Sequence, residues 1–271
     1  MGNLLLCPAL RVSEPYYVEA LGICLYSAEE LSYYIYHYLQ LIEQDFLDER
    51  LFLFIGRDLK MPGLENKLRK WSAQSDLEEL LLVILQDTHY YSPAELTDFR
   101  DRLNARKKAP HSRRLRDKAD CLCGLKRYYD ALHLYDSILA EKREDAPDQK
   151  MKGELWFNKA AAYAGLFAYD KAAACYEKAW DLLHSELALR RLFEIRLMDP
   201  LADVNRELME SIPSETRALW QEEFEEKKKQ ARFRGKALDA AAWQDKDNLR
   251  RASGMRALVR TWKMEYSKNQ I

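Results

Sequence analysis

Histidine and cysteine are the side chains that most often bind metals or act as nucleophiles, and the chain has five of each. They are His37, His89, His111, His133 and His184, with Cys7, Cys24, Cys121, Cys123 and Cys175. No two histidines flank a glutamate at the helical spacing of a zinc site, and neither a glycine-rich phosphate loop nor a Gly-x-Ser-x-Gly motif occurs. Cys121 and Cys123 would point about 200° apart on a helix, so they could not share a metal. We therefore predict no catalytic residue, no metal site and no cofactor, and a protein that is not an enzyme.

The overall composition narrows the class of protein further. With 48% apolar and 32% charged residues, the 271-residue chain can bury a core and is not disordered by composition. Its net charge of −1 gives no overall field that would attract nucleic acid, and no apolar run of about 18 residues could span a membrane. An odd number of cysteines without a Cys-x-x-Cys pair is typical of free thiols in a reducing compartment, so we expect a cytoplasmic protein.

The first part of the chain predicts an N-terminal helical domain over residues 1–108. Three serine–glutamate pairs have the spacing of capping boxes, in which the two residues satisfy free amides at a helix start. The pairs are Ser27–Glu30, Ser75–Glu78 and Ser92–Glu95. After the first pair, apolar residues recur at helical spacing, and four tyrosines fall between residues 33 and 38. These tyrosines could form an aromatic contact surface, but we favour a place in the core, with the hydroxyls reaching the surface.

Large and small residues alternate at fixed spacing in the centre of the chain. The pattern consists of Trp156, Ala160, Tyr163, Tyr169, Ala172, Tyr176 and Ala179. A copy displaced by 41 residues consists of Leu115, Ala119, Leu122, Tyr128, Ala131, Tyr135 and Ile138. Alanine at two of the positions lets two helices approach closely, and the large residues fill the space beside that crossing. The spacing therefore predicts two helical hairpins.

This pattern resembles the tetratricopeptide repeat (TPR), a helix–turn–helix unit of about 34 residues. The longer displacement fits a lengthened loop over the polar residues 143–150. A looser third copy begins near Glu186, where Arg190 takes the place of a small residue, and we interpret 186–212 as a decayed repeat or cap. The resemblance implies an all-α fold with a TPR-like α-solenoid over 109–212. It does not extend to the N-terminal region.

The resemblance also implies a groove, lined by the first helix of each repeat, that binds a peptide or a partner helix. The implied lining is Arg113, Arg116, Asp117, Asp120 and Gly124 in the first repeat, and Glu154, Phe157, Asn158, Ala161 and Gly165 in the second. Asn158 matches an asparagine with which many TPR proteins hydrogen-bond the ligand backbone, and Arg113 and Arg116 could receive a carboxylate. Phe157 stands where chaperone-tail-binding TPRs have lysine, which argues against that ligand. As an alternative, flanking helices cover these residues.

Two stretches of the chain are strongly basic. Residues 100–118 contain nine basic and two acidic residues, and we interpret them as a solvated linker and helix start rather than a phosphate-binding patch, because aromatic partners for bases are missing. Residues 226–271 contain thirteen basic and five acidic residues. They form part of a C-terminal helical extension over 213–271, in which an apolar face from Leu249 to Trp262 would dock on the body of the protein.

We therefore expect a non-catalytic adaptor or scaffold that binds a protein or peptide partner through the groove. The alternative is a regulator in which the repeats govern nucleic-acid binding by the basic residues 226–271. A third possibility is a self-assembling scaffold. The first two differ in their response to salt, because nucleic-acid binding weakens steeply as the salt concentration rises and binding in a groove with apolar contacts does not. Light scattering across a range of protein concentrations would test the third.

Overall fold

The computed structural model describes residues 12–72, 74–141 and 146–234, together with Gly254 and Arg260. In this part of the chain helices dominate, and the only strands are two short ones, which confirms the all-α prediction. No helix of the described residues is long and apolar enough to cross a membrane. The chain divides into two compact units, Met1–Leu183 and His184–Ile271. The predicted finer boundary after residue 108 stays a prediction.

The first unit begins with a β-hairpin that the sequence analysis did not predict. Strand β1 (Tyr16–Val18) pairs antiparallel with β2 (Ile23–Leu25), and Gly22 makes the turn with a φ of 67° that few other residues adopt. The helices that follow are α1 (Ala28–His37), α2 (Glu49–Leu53), α3 (Pro62–Trp71), α4 (Leu77–Thr88) and α5 (Pro93–Lys108). Short 3-10 segments at Leu39–Leu41 and Gln44–Phe46 and a π-helical segment at Phe54–Asp58 connect them.

The three predicted capping boxes have three different outcomes. Ser92 and Glu95 form the complete box at the start of α5. The Ser27 hydroxyl caps α1, but the Glu30 carboxylate accepts from the backbone N–H of Tyr26 at 2.6 Å instead of from Ser27. The third prediction was wrong, because α4 begins one residue later than expected, after Asp76, and no side chain caps it.

The tyrosine-rich helix α1 contributes mainly to the core, as predicted. Tyr34 is buried, and its ring centroid lies 5.5 Å from that of Phe46. The Tyr36 ring stacks on Tyr91 at 4.1 Å. Tyr33 is the exception, with 43% of its surface exposed. Aromatic packing therefore holds α1 against the neighbouring elements of this unit.

The predicted repeats form two helical pairs that share one turn conformation. They are α6 (His111–Gly124) with α7 (Tyr128–Ala140), and α8 (Gln149–Gly165) with α9 (Tyr169–Leu183). The alanines at the predicted crossings, at 119, 131, 160 and 172, are completely buried. Each pair is joined by three residues, and Lys126 and Phe167, 41 positions apart, both adopt the left-handed conformation, at φ 62° and φ 59°. The shared turn conformation extends the sequence repeat to the backbone.

The second unit contains α10 (Glu186–Met198), α11 (Arg206–Ser211) and α12 (Ser214–Arg234). The Phe193 and Trp220 rings pack at 6.0 Å, and Arg190, which breaks the repeat pattern, donates to Glu223 at 2.5 Å. Lys227 of α12 lies 3.9 Å from Glu194 of α10. Within α12, Lys228 donates to Glu225 at 3.1 Å. The predicted apolar face from Leu249 to Trp262 lies outside the described residues.

Glycine at position 153 permits the close approach of α8 and α9. A Cβ atom added there would lie 2.4 Å from Cγ of Leu183. Because Cγ is only two bonds from the backbone of Leu183, it cannot move away freely. We expect Gly153→Ala to destabilise the protein by about 1–3 kcal/mol in urea unfolding, because of overpacking. Gly124→Ala is the control, since a Cβ there meets nothing within 4 Å. Gly124→Ala should leave the free energy of unfolding unchanged or raise it by about 0.5–1 kcal/mol. An equal loss of stability in both variants would contradict the explanation by overpacking.

Burial of Tyr16 makes stability depend on alkaline pH. Burial, reinforced by the negative charge of Asp48, raises the pKa of Tyr16 from 10.0 to about 12. Below the pKa that Tyr16 has in the unfolded chain, the hydroxyl is protonated in both states, and Tyr16 makes its full contribution to the free energy of unfolding. Between the two pKa values, Tyr16 loses its proton only in the unfolded state. Tyr16 should therefore contribute a fall of about 1.4 kcal/mol per pH unit to the free energy of unfolding. When the free energy of unfolding is measured with urea over this pH range, it should fall less steeply with pH in Tyr16→Phe than in the wild type. The slope should be unchanged for Tyr17→Phe, whose ring is exposed, and equal slopes in all three proteins would contradict this prediction.

Candidate binding groove

Helices α6 and α8 bring four of the predicted groove residues together. Arg116 and Asp120 lie one turn apart on α6, and Glu154 and Asn158 lie one turn apart on α8. Arg116 Nη1 donates to Glu154 Oε2 at 2.6 Å, and Asn158 Nδ2 donates to Asp120 Oδ1 at 2.8 Å. We call these four residues the polar row. Each of its two bonds joins α6 to α8, between residues 38 positions apart in the sequence.

Asp120 also connects the polar row to the buried part of the first helical pair. The Tyr135 hydroxyl, on α7, donates to Asp120 Oδ1 at 2.6 Å. Burial and the nearby Asp120 carboxylate together raise the pKa of Tyr135 far above its usual range. Burial likewise raises the pKa of the neighbouring Cys123 thiol. Tyr135 and Cys123 therefore remain protonated at neutral pH, so Tyr135 acts as a structural donor and Cys123 is a poor nucleophile.

Carboxylates surround the guanidinium of Arg116. Besides its bond to Glu154, it lies 3.6 Å from Asp117 and 4.0 Å from Asp120. One positive and three negative side chains leave a local charge of −2. The Arg116 side chain is 19% exposed, and those of Asp117, Asp120 and Glu154 are between 37% and 44% exposed. The surface therefore presents carboxylate oxygens to solvent more than it presents the arginine.

Phe157 and Ala161 add an apolar part to the lining. Both are half-buried on α8. The Phe157 ring meets the Tyr176 ring edge to face, with the centroids 5.2 Å apart. Gly165 lets the Tyr128 ring approach, since an added Cβ would lie 2.4 Å from that ring, whereas the equivalent Gly124 has open space. The polar row thus has an aromatic side chain and a small residue beside it on α8.

Arg113 lies one turn before Arg116 on α6 but forms no bond with the polar row. It is exposed, forms no hydrogen bond or ion pair with the described residues, and lines a cavity of about 660 Å³ together with Arg106 and Arg114. The grouping of Arg113 with Arg116 that the resemblance implied therefore does not appear in the described contacts.

Lys159 is a buried charge that the sequence analysis did not single out. Only 7% of it is exposed, and its Nζ forms an ion pair with Asp136. The Trp156 ring centroid lies 4.7 Å from the same atom. Lysine inside a run of small and aromatic residues was the available signal, since a buried lysine requires a charged partner. The contacts of Lys159 give it a structural role between α8 and α7.

Comparison with models of known protein families, with curated proteins and with solved structures finds no significant match. Among the described residues, no group of three or more histidine, cysteine, aspartate or glutamate side chains could hold a metal ion. The cysteines in this part of the chain, Cys24, Cys121, Cys123 and Cys175, are free thiols.

Removing the Asp120 carboxylate should destabilise the protein through Tyr135. In Asp120→Ala the completely buried Tyr135 loses its acceptor, so we expect a loss of about 1–3 kcal/mol in urea unfolding. The double variant Asp120→Ala/Tyr135→Phe should lose less than the sum of the single variants, because no unsatisfied hydroxyl remains. Asp117→Ala, which removes a more exposed carboxylate from the same helix, is the control. Strict additivity, or an equal loss in the control, would contradict this role.

Proposed function

We propose that the protein is a non-catalytic adaptor that binds a segment of a partner protein in a TPR-like groove between α6 and α8. The observation that supports this most is the polar row, because its bonds join the first helices of the two repeats and place their side chains on one partly exposed surface. A groove of this kind would take an extended peptide or one face of a helix. The free thiols fit an adaptor that acts in the cytoplasm.

The charge of the groove indicates the chemistry of the partner. Arg116 is already paired with Glu154, so it is poorly placed to receive a carboxylate from a ligand. The exposed carboxylates around it would instead accept from lysine, arginine or backbone N–H groups. A partner segment with basic residues is therefore favoured, and an acidic C-terminal tail is disfavoured. This agrees with the absence of the lysine that chaperone-tail-binding TPRs have at the position of Phe157.

The Asn158 amide supports the same proposal. Its bond to Asp120 uses one of its two N–H donors and fixes the orientation of the side chain. The carbonyl oxygen of the amide would then be held in place to accept from a partner backbone. Phe157 and Ala161, on the same helix, would provide apolar contact and the space for a partner side chain. Polar contacts would thus orient the segment, while the apolar pair would contribute to affinity.

The groove is tested by filling it without removing any of its own hydrogen bonds. Ala161→Arg places a long side chain at the half-buried groove position, and Ala174→Arg makes the same change at an exposed position of α9. Both variants and the wild type are immobilised after circular dichroism confirms folding, and proteins captured from source lysate are compared by mass spectrometry. We expect a partner that wild type and Ala174→Arg retain and that Ala161→Arg loses by about tenfold, because the added side chain blocks direct contact.

Two results would contradict the groove proposal. In the first, every captured protein is retained equally by Ala161→Arg and Ala174→Arg, so that binding takes place elsewhere. In the second, nucleic acid is captured by all three proteins and is released by moderate salt, as counterion release requires. The second result would favour the regulator alternative with the basic residues 226–271, of which the structure describes only the first few.

A further inference from the structure

A cavity of about 660 Å³ lies between the end of α5, the 3-10 segment Leu39–Leu41 and the start of α6. We call it the basic cavity. Leu39, Leu115, Ala105 and Pro110 contribute apolar lining, and Arg102, Arg106, Lys108, Arg113 and Arg114 contribute positive charge. A volume of this size falls within the range of about 300–1,000 Å³ that is typical of small-molecule sites.

The two acidic residues of the lining form their ion pairs with other cations. Glu43 accepts from Lys118 Nζ at 3.0 Å, and Asp117 lies 3.6 Å from Arg116, and neither of these cations lines the cavity. Arg102 is paired with Asp98 at 3.1 Å.

Four cations of the lining thus remain without a carboxylate partner among the described residues. They are Arg106, Lys108, Arg113 and Arg114. The basic cavity therefore holds an excess of unneutralised positive charge.

Arg106 is the cation of the lining whose surroundings are least favourable to its charge. Its Nη2 donates to the Ile42 carbonyl at 2.5 Å, while its Nη1 is buried without a hydrogen-bond partner in the described part of the chain. Burial is the main cause that lowers the pKa of Arg106. The carboxylates of Glu43 and Glu78 act in the opposite direction, and the positive charge of Arg114 lowers the pKa further. A buried guanidinium with an unused donor beside a like charge is the arrangement expected where a counter-ion binds.

The helix ends distinguish the arginines of α6 from the basic residues of α5. Arg106 and Lys108 lie in the last turn of α5, where the helix dipole favours cations. Arg113 and Arg114 lie in the first turn of α6, where the dipole disfavours them.

No acidic residue lies in that first turn of α6, and no side chain caps the helix start. An anion at this point would interact favourably with the arginines and with the free backbone N–H groups of the helix. Helix stability alone therefore does not account for Arg113 and Arg114.

We propose that the basic cavity binds a small polyanion, a molecule with two or more phosphate or carboxylate groups. The forked guanidinium groups of Arg113 and Arg114 would each pair with an oxyanion, and the start of α6 would add backbone donors. Its anionic ligand is opposite in charge to the basic segment proposed for the groove. The proposal is an alternative to the interpretation of residues 100–118 as a solvated linker and helix start.

Isothermal titration calorimetry of the full chain tests the basic cavity with pyrophosphate and with citrate as probes. The variant Arg113→Gln/Arg114→Gln removes two exposed charges from the lining. The control Arg100→Gln/Lys107→Gln removes two exposed charges from positions of α5 outside it. We expect the first variant to weaken the binding of at least one probe by about tenfold or more, and the control to change it by less than about twofold. The probe that binds more tightly identifies the oxyanion class.

Two further measurements separate binding from folding. Without the anion, Arg113→Gln/Arg114→Gln should melt at the same or a higher temperature than wild type, because it removes cations from a helix start. Lys108→Gln, at an exposed position of the lining, should weaken binding independently, by about threefold. The proposal is overturned if neither probe binds the wild type, or if the control variant loses as much affinity as Arg113→Gln/Arg114→Gln.

Discussion

The Asp120 carboxylate is the contact on which the arrangement of the repeats depends most. One of its oxygens accepts from the buried Tyr135 hydroxyl on α7 and from the Asn158 amide on α8. A single acceptor thereby fixes three helices relative to one another. Because Tyr135 has no exposed surface, its hydroxyl needs this acceptor, and the polar row on the surface is held in place by a requirement of the core.

The small residues of the two helical pairs make this contact possible. Alanine at the crossings brings the paired helices close, so that side chains of α6, α7 and α8 can meet over hydrogen-bond distances. The same helix, α6, has unpartnered arginines in its first turn and carboxylates farther along. This charge separation on one helix accounts for two neighbouring surfaces of opposite character, the basic cavity and the acidic surroundings of Arg116.

The all-α class and the buried small residues could be predicted from the sequence, because both follow from local periodicity. The β-hairpin could not, since each strand has only three residues and gives no alternating pattern long enough to read. The start of α4 was displaced by one residue because Asp76 competes with Ser75 for the position before the helix. In the candidate groove, the resemblance to the tetratricopeptide repeat implied Arg116, Asp120, Glu154 and Asn158. It could not show that they bond to one another, because that depends on the distance between α6 and α8.

Site-specific photo-crosslinking tests most directly the central claim, that the surface between α6 and α8 binds a partner segment. A photoreactive phenylalanine analogue would be placed at position 161 in the groove or at position 174 on the exposed face of α9, in the full chain in its source cells. The account predicts a discrete adduct from position 161, with the crosslinked site in a segment that contains basic residues, and no matching adduct from position 174. An adduct from position 174 alone, or the same adducts from both positions, would contradict it.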